Sequence, residues 1–423
     1  MRILFIVSYA PNLIRVRPYQ LICSLLRREH QVTVATLWTN EEERADLCKL
    51  SDLGVRIVAH QAPLWRSIRN TLFALPTHTP LQAVYSWQPA LAQSIRTLIQ
   101  TQLFDVVHVE HLRGARYGLF ARSLKRQDGS SVPVIWDSVD CISHLFQQAA
   151  QNSRSIKGRL LTTLDLKRTQ HYEGELVRQF KHVLVTSPAD KTALEALTNQ
   201  VGPVKNAQAQ QADQHTRNSK VHVLPNGVDL AYFTPNGAKR EPATVVFSGK
   251  MSYHANITAA LHLVNDVMPQ VWLEQPDTKV CIVGKDPSAE VRALEKTDVV
   301  VTGTVVDLRP FLQHATMAVA PIPYGAGIQN KVLEAMACGA PVVASPQACS
   351  ALQAQSGHDL LVAHNVETFA QTILELLEDK LHQTTLGRAG RTYVENYHSW
   401  DAVTTQLEEV YQTAIVENKG RSL

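Results

Sequence analysis

Pro321-Ile322-Pro323-Tyr324-Gly325-Ala326-Gly327-Ile328-Gln329-Asn330-Lys331-Val332-Leu333-Glu334-Ala335-Met336-Ala337-Cys338-Gly339-Ala340-Pro341-Val342-Val343 is the stretch whose reading decides the fold. A strand ends at Pro321, a glycine loop follows, and a helix opens near Gly327. Gly339-Ala340-Pro341 ends that helix and starts the next buried strand. Free N–H groups at a helix start, together with the positive end of its dipole, attract a phosphate. Glycine lets the phosphate come close to the backbone, and Lys331 adds a cation in the first turn. Glu334, three residues on, shares that side. A carboxylate there can accept two hydrogen bonds from vicinal ribose hydroxyls. The same spacing also fits a surface Lys331–Glu334 pair above a glycine turn.

Two more strand ends point toward an anionic ligand. Phe247-Ser248-Gly249-Lys250 and Val283-Gly284-Lys285-Asp286-Pro287 each place Gly-Lys just after an apolar run, where a lysine can neutralise a diphosphate. The loop Thr302–Leu308, with Val305 at its centre, is suited to hold a nucleobase by backbone hydrogen bonds. Working outward, short apolar runs alternate with helical patterns along the whole chain. Ile3–Val7, Val32–Leu37, Val55–Ala59, Phe104–Val109, Val132–Trp136 and His182–Thr186 read as buried parallel strands, as do Val221–Leu224, Thr244–Ser248, Lys279–Val283, Val299–Thr302, Met317–Ala320, Val342–Ala344 and Leu360–Val362. Between them lie helices such as Arg17–Arg28, with Leu21, Ile22, Leu25 and Leu26 on one face. The strand–helix order predicts an α/β class built from parallel sheets.

The chain has 423 residues, too many for a single compact core. Between Val201 and Lys220 the pattern dissolves into a polar loop, and Pro225–Asp229 and Thr234–Gly237 are sharp breaks. The expected organisation is a domain over 1–225, a second over 226–398, and a helix over 399–423 that crosses back onto the first. That helix carries Trp400, Val403, Leu407, Val410 and Tyr411 at helical spacing. The two domains read as doubly wound and facing across a cleft, each with its ligand beyond the carboxyl ends of its strands.

The formal net charge is +3, which disfavours a nucleic-acid coat. It is unevenly spread: residues 1–220 hold 27 Lys+Arg against 17 Asp+Glu, and residues 221–423 hold 14 against 21. A basic front half suits a phospholipid surface or a phosphorylated acceptor, or else attraction between two oppositely charged domains. Pro63–Tyr85, with Leu64, Trp65, Ile68, Leu72, Phe73, Arg66 and Arg69, reads as a basic amphipathic helix for an anionic membrane, or as a helix packed on the sheet. The six cysteines, at 23, 48, 141, 281, 338 and 349, are scattered with no CxxC, which implies reduced thiols and a cytoplasmic setting, at most peripheral to a membrane. No run approaches a bilayer span.

The combined motifs resemble those of retaining glycosyltransferases of family four, which have the GT-B fold. The run from Gly327 to Val343 is most similar to a bacterial sugar-transferase subgroup associated with exopolysaccharide loci. Val221–Asp229, Phe247–Lys250, Ile282–Lys285 and Thr302–Leu308 fall where that family has comparable segments. The first half matches more loosely, through Arg17-Pro18-Tyr19-Gln20-Leu21, Val32-Thr33-Val34 and Glu110-His111-Leu112-Arg113. The resemblance implies a nucleotide-diphospho-sugar donor and a sugar, lipid-linked or polysaccharide acceptor; Asp137-Ser138-Val139-Asp140 is not an Asp-x-Asp site, so no metal or other cofactor is expected, with lysines and the helix dipole holding the diphosphate. By position, Lys250 would bind the diphosphate, Gly327 and Ile328 would offer amides to phosphate or sugar, and Glu334 would bind the ribose. Gly249, Gly284, Lys285, Val305, Gln329 and Lys331 complete the expected donor site. The sequence departs from the pattern at Ala326, where the family often has Glu and where Gln329 is the candidate substitute. It departs again at Asn256, where the family often has Lys and where Lys331 is the candidate replacement.

On the acceptor side, Glu110 and His111 follow one strand and Asp137 and Asp140 another, so these residues are expected to face the cleft. The resemblance places a catalytic or acceptor-orienting residue at Glu110 or His111 without choosing between them. His108, Glu110 and His111 do not share one face of a strand, which argues against a metal. The rival readings are a sugar-nucleotide epimerase on the same architecture and a non-catalytic nucleotide-sugar-binding partner. A dehydrogenase fits poorly, because Ser8–Asn12 after the first strand has no glycine loop.

Overall fold

The computed structural model describes residues 1–152, 156–200, 220–324 and 328–420. It divides into two compact units, one of Met1–Gln147, Leu160–Leu224 and Thr404–Leu423, the other chiefly Pro225–Val403.

The first unit is built on seven strands: β1 (Arg2–Val7), β2 (Gln31–Trp38), β3 (Arg56–Gln61), β4 (Val106–Glu110), β5 (Val134–Val139), β6 (His182–Val185) and β7 (Val221–Val223). Their order is β3-β2-β1-β4-β5-β6-β7, and every pairing is parallel. The central strands are buried on both faces, and Ile3 to Val7 are all inaccessible to solvent. That double burial explains why they read as unbroken apolar runs. The second unit has β8 (Thr244–Ser248), β9 (Lys279–Val283), β10 (Val299–Val301), β11 (Met317–Ala320), β12 (Val342–Ala344) and β13 (Leu361–Val362). They are ordered β10-β9-β8-β11-β12-β13, again all parallel. In each sheet the winding reverses once, beside β1 and β4 in the first and beside β8 and β11 in the second. A crevice opens outside the carboxyl ends of the strands at such a point, so Glu110 and Gly249-Lys250 stand where a ligand is expected.

A buried polar network ties the first unit together across long sequence separations. Arg17, from the helix Val16–Arg27, donates through Nε to Asp137 Oδ2 at 3.0 Å. His108 Nε2 lies 3.5 Å from the same oxygen, and its ring stacks on Phe5 at 4.1 Å. Tyr411, from the helix Trp400–Lys419, reaches His108 Nδ1 at 2.9 Å. Glu408 of that helix takes Arg28 and His30 at 2.8 and 2.6 Å. Asp137 is therefore not a cleft-facing carboxylate at a strand end. It lies inside β5, wholly buried, because β5 runs on past Trp136 to Val139. Burial alone would raise its pKa, but the charges of Arg17 and His108 outweigh that and hold it below the usual carboxylate value.

Pro63–Tyr85 is two helices, Leu64–Ala74 and Leu81–Tyr85, and the first does not pack its apolar side on the sheet. It buries Ser67 and Ala74, while Leu64, Trp65, Ile68, Leu72 and Phe73 are each at least half exposed. All six cysteines are free. Among the described residues, no helix is long and apolar enough to cross a membrane.

Arg17→Met leaves Asp137 a buried charge without its guanidinium partner, and urea unfolding of the first unit should show a loss of about 3–5 kcal/mol. Adding Asp137→Leu removes the stranded charge, and the double variant should recover much of that loss. A single variant as stable as the wild type would contradict the role given to this pair.

Candidate functional site

In the second unit the candidate residues converge on the ends of β8, β9 and β11. Gly249 and Gly284 meet back to back: a Cβ added to Gly284 would lie 1.7 Å from the Gly249 carbonyl oxygen. Both have strongly positive φ, 152° and 151°, a conformation for which glycine is suited. Gly249 N–H donates to Val283 O at 3.0 Å and Met251 N–H to Lys285 O at 2.8 Å, so the two Gly-Lys loops run side by side. Lys250 and Lys285 are both exposed on this rim.

Lys331 comes to the same place from the helix Asn330–Ala337. The helix starts at Asn330 rather than near Gly327, because Gln329 is still extended, with φ −81° and ψ 96°. Gly327 and Ala326 lie outside the described residues, and the amide role expected of Gly327 with them. The helix start has no side-chain cap and no acidic residue in its first turn, whereas the helix Val366–Glu378 has a full capping box at Asn365. Uncapped amides at a helix start are the groups that receive an anion. Lys331 Nζ donates to Asn256 Oδ1 at 2.7 Å, and Asn256 Nδ2 donates to Lys250 O at 3.0 Å. The ammonium also lies 5.3 Å from the Phe247 ring centroid. Lys331 is thus no surface partner of Glu334, and Asn256, read in the sequence as a lost charge, is the group that positions a neighbouring one. Burial lowers the Lys331 pKa to about 8, opposed by Glu334. Burial raises Glu334 to about 7, opposed by Lys331. Both side chains keep a little solvent contact, so a ligand can reach them.

The remaining donor-side candidates are placed unevenly. The Ile328 side chain is 7% exposed and packs in the core, which leaves only its backbone for a ligand. Gln329 and Val305 are half-buried. The loop around Val305 is braced by Asp307, which accepts from Arg309 Nη2 at 2.7 Å and from the Tyr232 hydroxyl at 3.2 Å. Sequence reasoning missed the pair His254–Tyr324, joined at 2.9 Å with stacked rings. A cavity of about 800 Å³ lies instead at the amino ends of the strands. Its Arg240 and Arg391 are engaged by main-chain carbonyls, including Cys338 O and Ala337 O at the end of the Lys331 helix.

In the first unit Glu110 and His111, left as alternatives by the sequence, prove chemically distinct. Glu110 closes β4 and is 1% exposed. Burial, with the charge of Asp137, raises its pKa to about 8. The Tyr9 hydroxyl lies close enough to influence its carboxyl, and Oε2 has no partner among the described residues. His111 opens the next helix at φ +64°, a rare conformation for a residue with a side chain. Such strain collects at functional sites. Its pKa falls to about 4, through burial and then the Arg113 charge. Its Nδ1 accepts the Arg113 N–H at 3.3 Å, which leaves Nε2–H as the donor of a neutral ring. Tyr9 was not foreseen, since nothing in Ser8–Asn12 marks it as the neighbour of a residue a hundred positions on. Asp140 is half-buried and held by Thr186 at 3.1 Å, with its pKa raised to about 7 by burial and Asp190. Among the described residues, no group of three or more His, Cys, Asp and Glu could hold a metal ion.

Comparisons with known proteins bear on the fold and the family. Curated relatives include a GDP-mannose-dependent monoacylated alpha-(1-6)-phosphatidylinositol monomannoside mannosyltransferase of Corynebacterium glutamicum, 29% identical over 45% of this chain and 55% of its own. A D-inositol 3-phosphate glycosyltransferase of Salinispora arenicola is 27% identical over 47% of this chain and 50% of its own. The chain spans about half the length of these relatives. Among solved structures, sucrose-phosphate synthase from Thermosynechococcus elongatus matches with a TM-score of 0.65 at 17% identity, over 98% of this chain and 99% of its own. HepE of Anabaena in complex with UDP and glucose matches at 0.62 and 16% identity, over 97% and 99%. At such identities the likeness speaks for the fold alone, the two Rossmann-like halves of GT-B. Residues 242–379 match the glycosyl transferases group 1, and residues 14–227 match the glycosyl transferase 4-like domain. With half its length inside that second match, the chain belongs to the glycosyl transferase 4-like family.

Proposed function

We propose that this protein transfers a hexosyl group from a nucleoside-diphosphate sugar to a hydroxyl acceptor in the synthesis of a cell-surface polysaccharide or glycolipid. The observation that carries the reading is the Lys331 ammonium, held by Asn256 at the uncapped start of its helix beside the paired glycines. This combination suits a diphosphate: the amides and the ammonium meet the phosphate oxygens, Lys250 and Lys285 add charge at the rim, and Glu334 takes the ribose hydroxyls. The diphosphate would be held by these groups without a metal ion. GDP-mannose is the first donor to test, on the strength of the Corynebacterium relative, and UDP-glucose the second.

The first unit takes the acceptor. Glu110 is protonated below about pH 8, so at neutral pH it is a hydrogen-bonding group and not a carboxylate nucleophile. His111, neutral down to about pH 4, offers Nε2–H to orient a hydroxyl or phosphate oxygen. With no ionised nucleophile in these two places, the chemistry favoured is a retaining transfer. The acceptor oxygen bonds to the anomeric carbon, the bond from that carbon to the phosphate oxygen breaks, and the leaving phosphate takes the acceptor's proton. Catalysis then rests on position and on charge stabilisation at the diphosphate. An epimerase would convert donor without acceptor; incubation with donor alone should yield no new sugar nucleotide.

Calorimetry with GDP and UDP tests the donor site. Lys331→Met should weaken binding about 10- to 100-fold. Wild-type affinity should fall as pH rises through about 8, where the ammonium loses its proton, and Lys331→Arg should flatten that fall. Equal affinity in Lys331→Met would refute the site.

The pH dependence of transfer tests the acceptor side. His111→Ala should cut turnover about 100-fold or more. The wild type should show no His111 inflection between pH 5 and 7, because that ring is already neutral. With donor saturating, so that the Lys331-dependent fall in affinity does not enter, Glu110→Gln, which mimics the protonated acid, should keep most of the rate at pH 7 and remove a loss centred near pH 8. Transfer should also survive treatment with EDTA; abolition by EDTA and rescue by a divalent cation would overturn the metal-free reading.

A further inference from the structure

We infer that the face formed by the helices Leu64–Ala74 and Leu81–Tyr85 binds a phosphate-bearing lipid, with its hydrocarbon in the groove between them and its phosphate on Arg113. This rests on the transferase reading, since it makes that lipid the acceptor.

Three observations carry it. First, the Leu64–Ala74 helix is turned inside out. Leu64, Trp65, Ile68 and Leu72 form one stripe at helical spacing and are 50–64% exposed, and Phe73 is 73% exposed. A helix that sends its large apolar side chains outward leaves them for an apolar partner. Second, the groove beside it has a volume of about 390 Å³ and is walled by Ile68, Leu72, Leu81 and Tyr85, with Arg113 as its one charged lining residue. Arg113 Nε is buried and has no hydrogen-bond partner among the described residues. A buried guanidinium nitrogen without an acceptor calls for one, and a phosphate oxygen supplies it. Third, the surrounding sequence favours anions. Residues 53–104 contain four arginines and neither Asp nor Glu. Two of these arginines, Arg66 and Arg69, lie 5.1 and 5.4 Å from the Trp65 ring centroid, and Arg66 Nε is likewise buried without a partner.

The groove also lies in the right place. Arg113 stands two residues after His111 on one helix, and its N–H is bonded to the His111 ring. A lipid phosphate on Arg113 would therefore bring the groups attached to it toward His111. A mostly apolar groove with a single charged lining residue, Arg113, fits a chain with one anionic head. A protein partner would need acidic side chains to meet the rim arginines and is the alternative outcome.

The test is flotation of the full chain with vesicles of phosphatidylcholine alone and of phosphatidylcholine containing phosphatidic acid. The wild type should float with the second and not the first. Ile68→Gln with Leu72→Gln, both at exposed positions, should reduce binding about tenfold or more, as should Arg113→Gln. Leu381→Gln, at a site 78% exposed in the other unit, should bind as the wild type does. Excess inorganic phosphate should fail to release the protein, because the chain is needed as well as the anion; release would show a simple phosphate site and overturn the proposal. Variants with wild-type melting curves and undiminished binding to phosphatidic acid vesicles would overturn it. So would an absence of vesicle binding accompanied by self-association in sedimentation that the Ile68/Leu72 variant abolishes, which would mark a protein interface. GDP and UDP binding, measured on the same preparations, separates the two readings: lost lipid binding with intact nucleotide binding sinks this inference alone, and the reverse sinks the transferase assignment.

Discussion

The carboxyl end of the sheet in the second unit depends on two glycines that touch. With the Gly249 carbonyl where a Cβ of residue 284 would have to be, the loops after β8 and β9 close to backbone distance. No side chain then separates them from the helix that delivers Lys331. The space a side chain at Gly249 would occupy is bounded by Asn256 Nδ2 at 2.8 Å and Lys331 Cε at 3.3 Å. The glycine thus makes room for a cation to stand over the strand ends. The charge comes from one helix and its anchor from another, Lys331 and Asn256.

The two units use burial in opposite senses. In the second, a half-buried ammonium and carboxyl are pulled toward neutrality from either side, and binding of an anion by Lys331 would favour its charged form. In the first, burial makes Glu110 an acid that keeps its proton and His111 a base that does not gain one. Both then act near neutral pH as uncharged hydrogen-bonding groups. The ionised centre beside them, Asp137, is confined to a structural pairing with Arg17. If this is where the proposed acceptor binds, its hydroxyl meets two uncharged groups, with the arginines that follow His111 as the nearby charges.

The strands were legible because parallel strands buried on both faces cannot alternate with polar residues, and every apolar run named from sequence coincides with one to within a few residues. The convergence of the Gly-Lys loops with Lys331 was legible because glycine after a strand and lysine at a helix start are local signals. What escaped was non-local. Nothing near Asp137 announces Arg17, and nothing near His108 announces Tyr411, so carboxylates expected at an open strand end turned out to include one sealed inside it. The direction of the Leu64–Ala74 face escaped for another reason: periodicity shows that a helix has an apolar side, but not whether protein or some other medium covers it. Asn256 could be read as a missing charge, yet its use as an acceptor for Lys331 depends on a helix that starts 74 residues later.

The helix Trp400–Lys419 has a consequence for how the protein comes into being. Its later turns supply Tyr411 to His108 and Glu408 to Arg28 and His30, contacts that belong to the unit whose strands are synthesised first. On the ribosome that unit emerges with its sheet complete but one flank bare, and it stays so while the whole second unit is translated. The nascent chain must therefore spend that interval with a polar-lined seam open to water or to a chaperone, and the early unit finishes folding last.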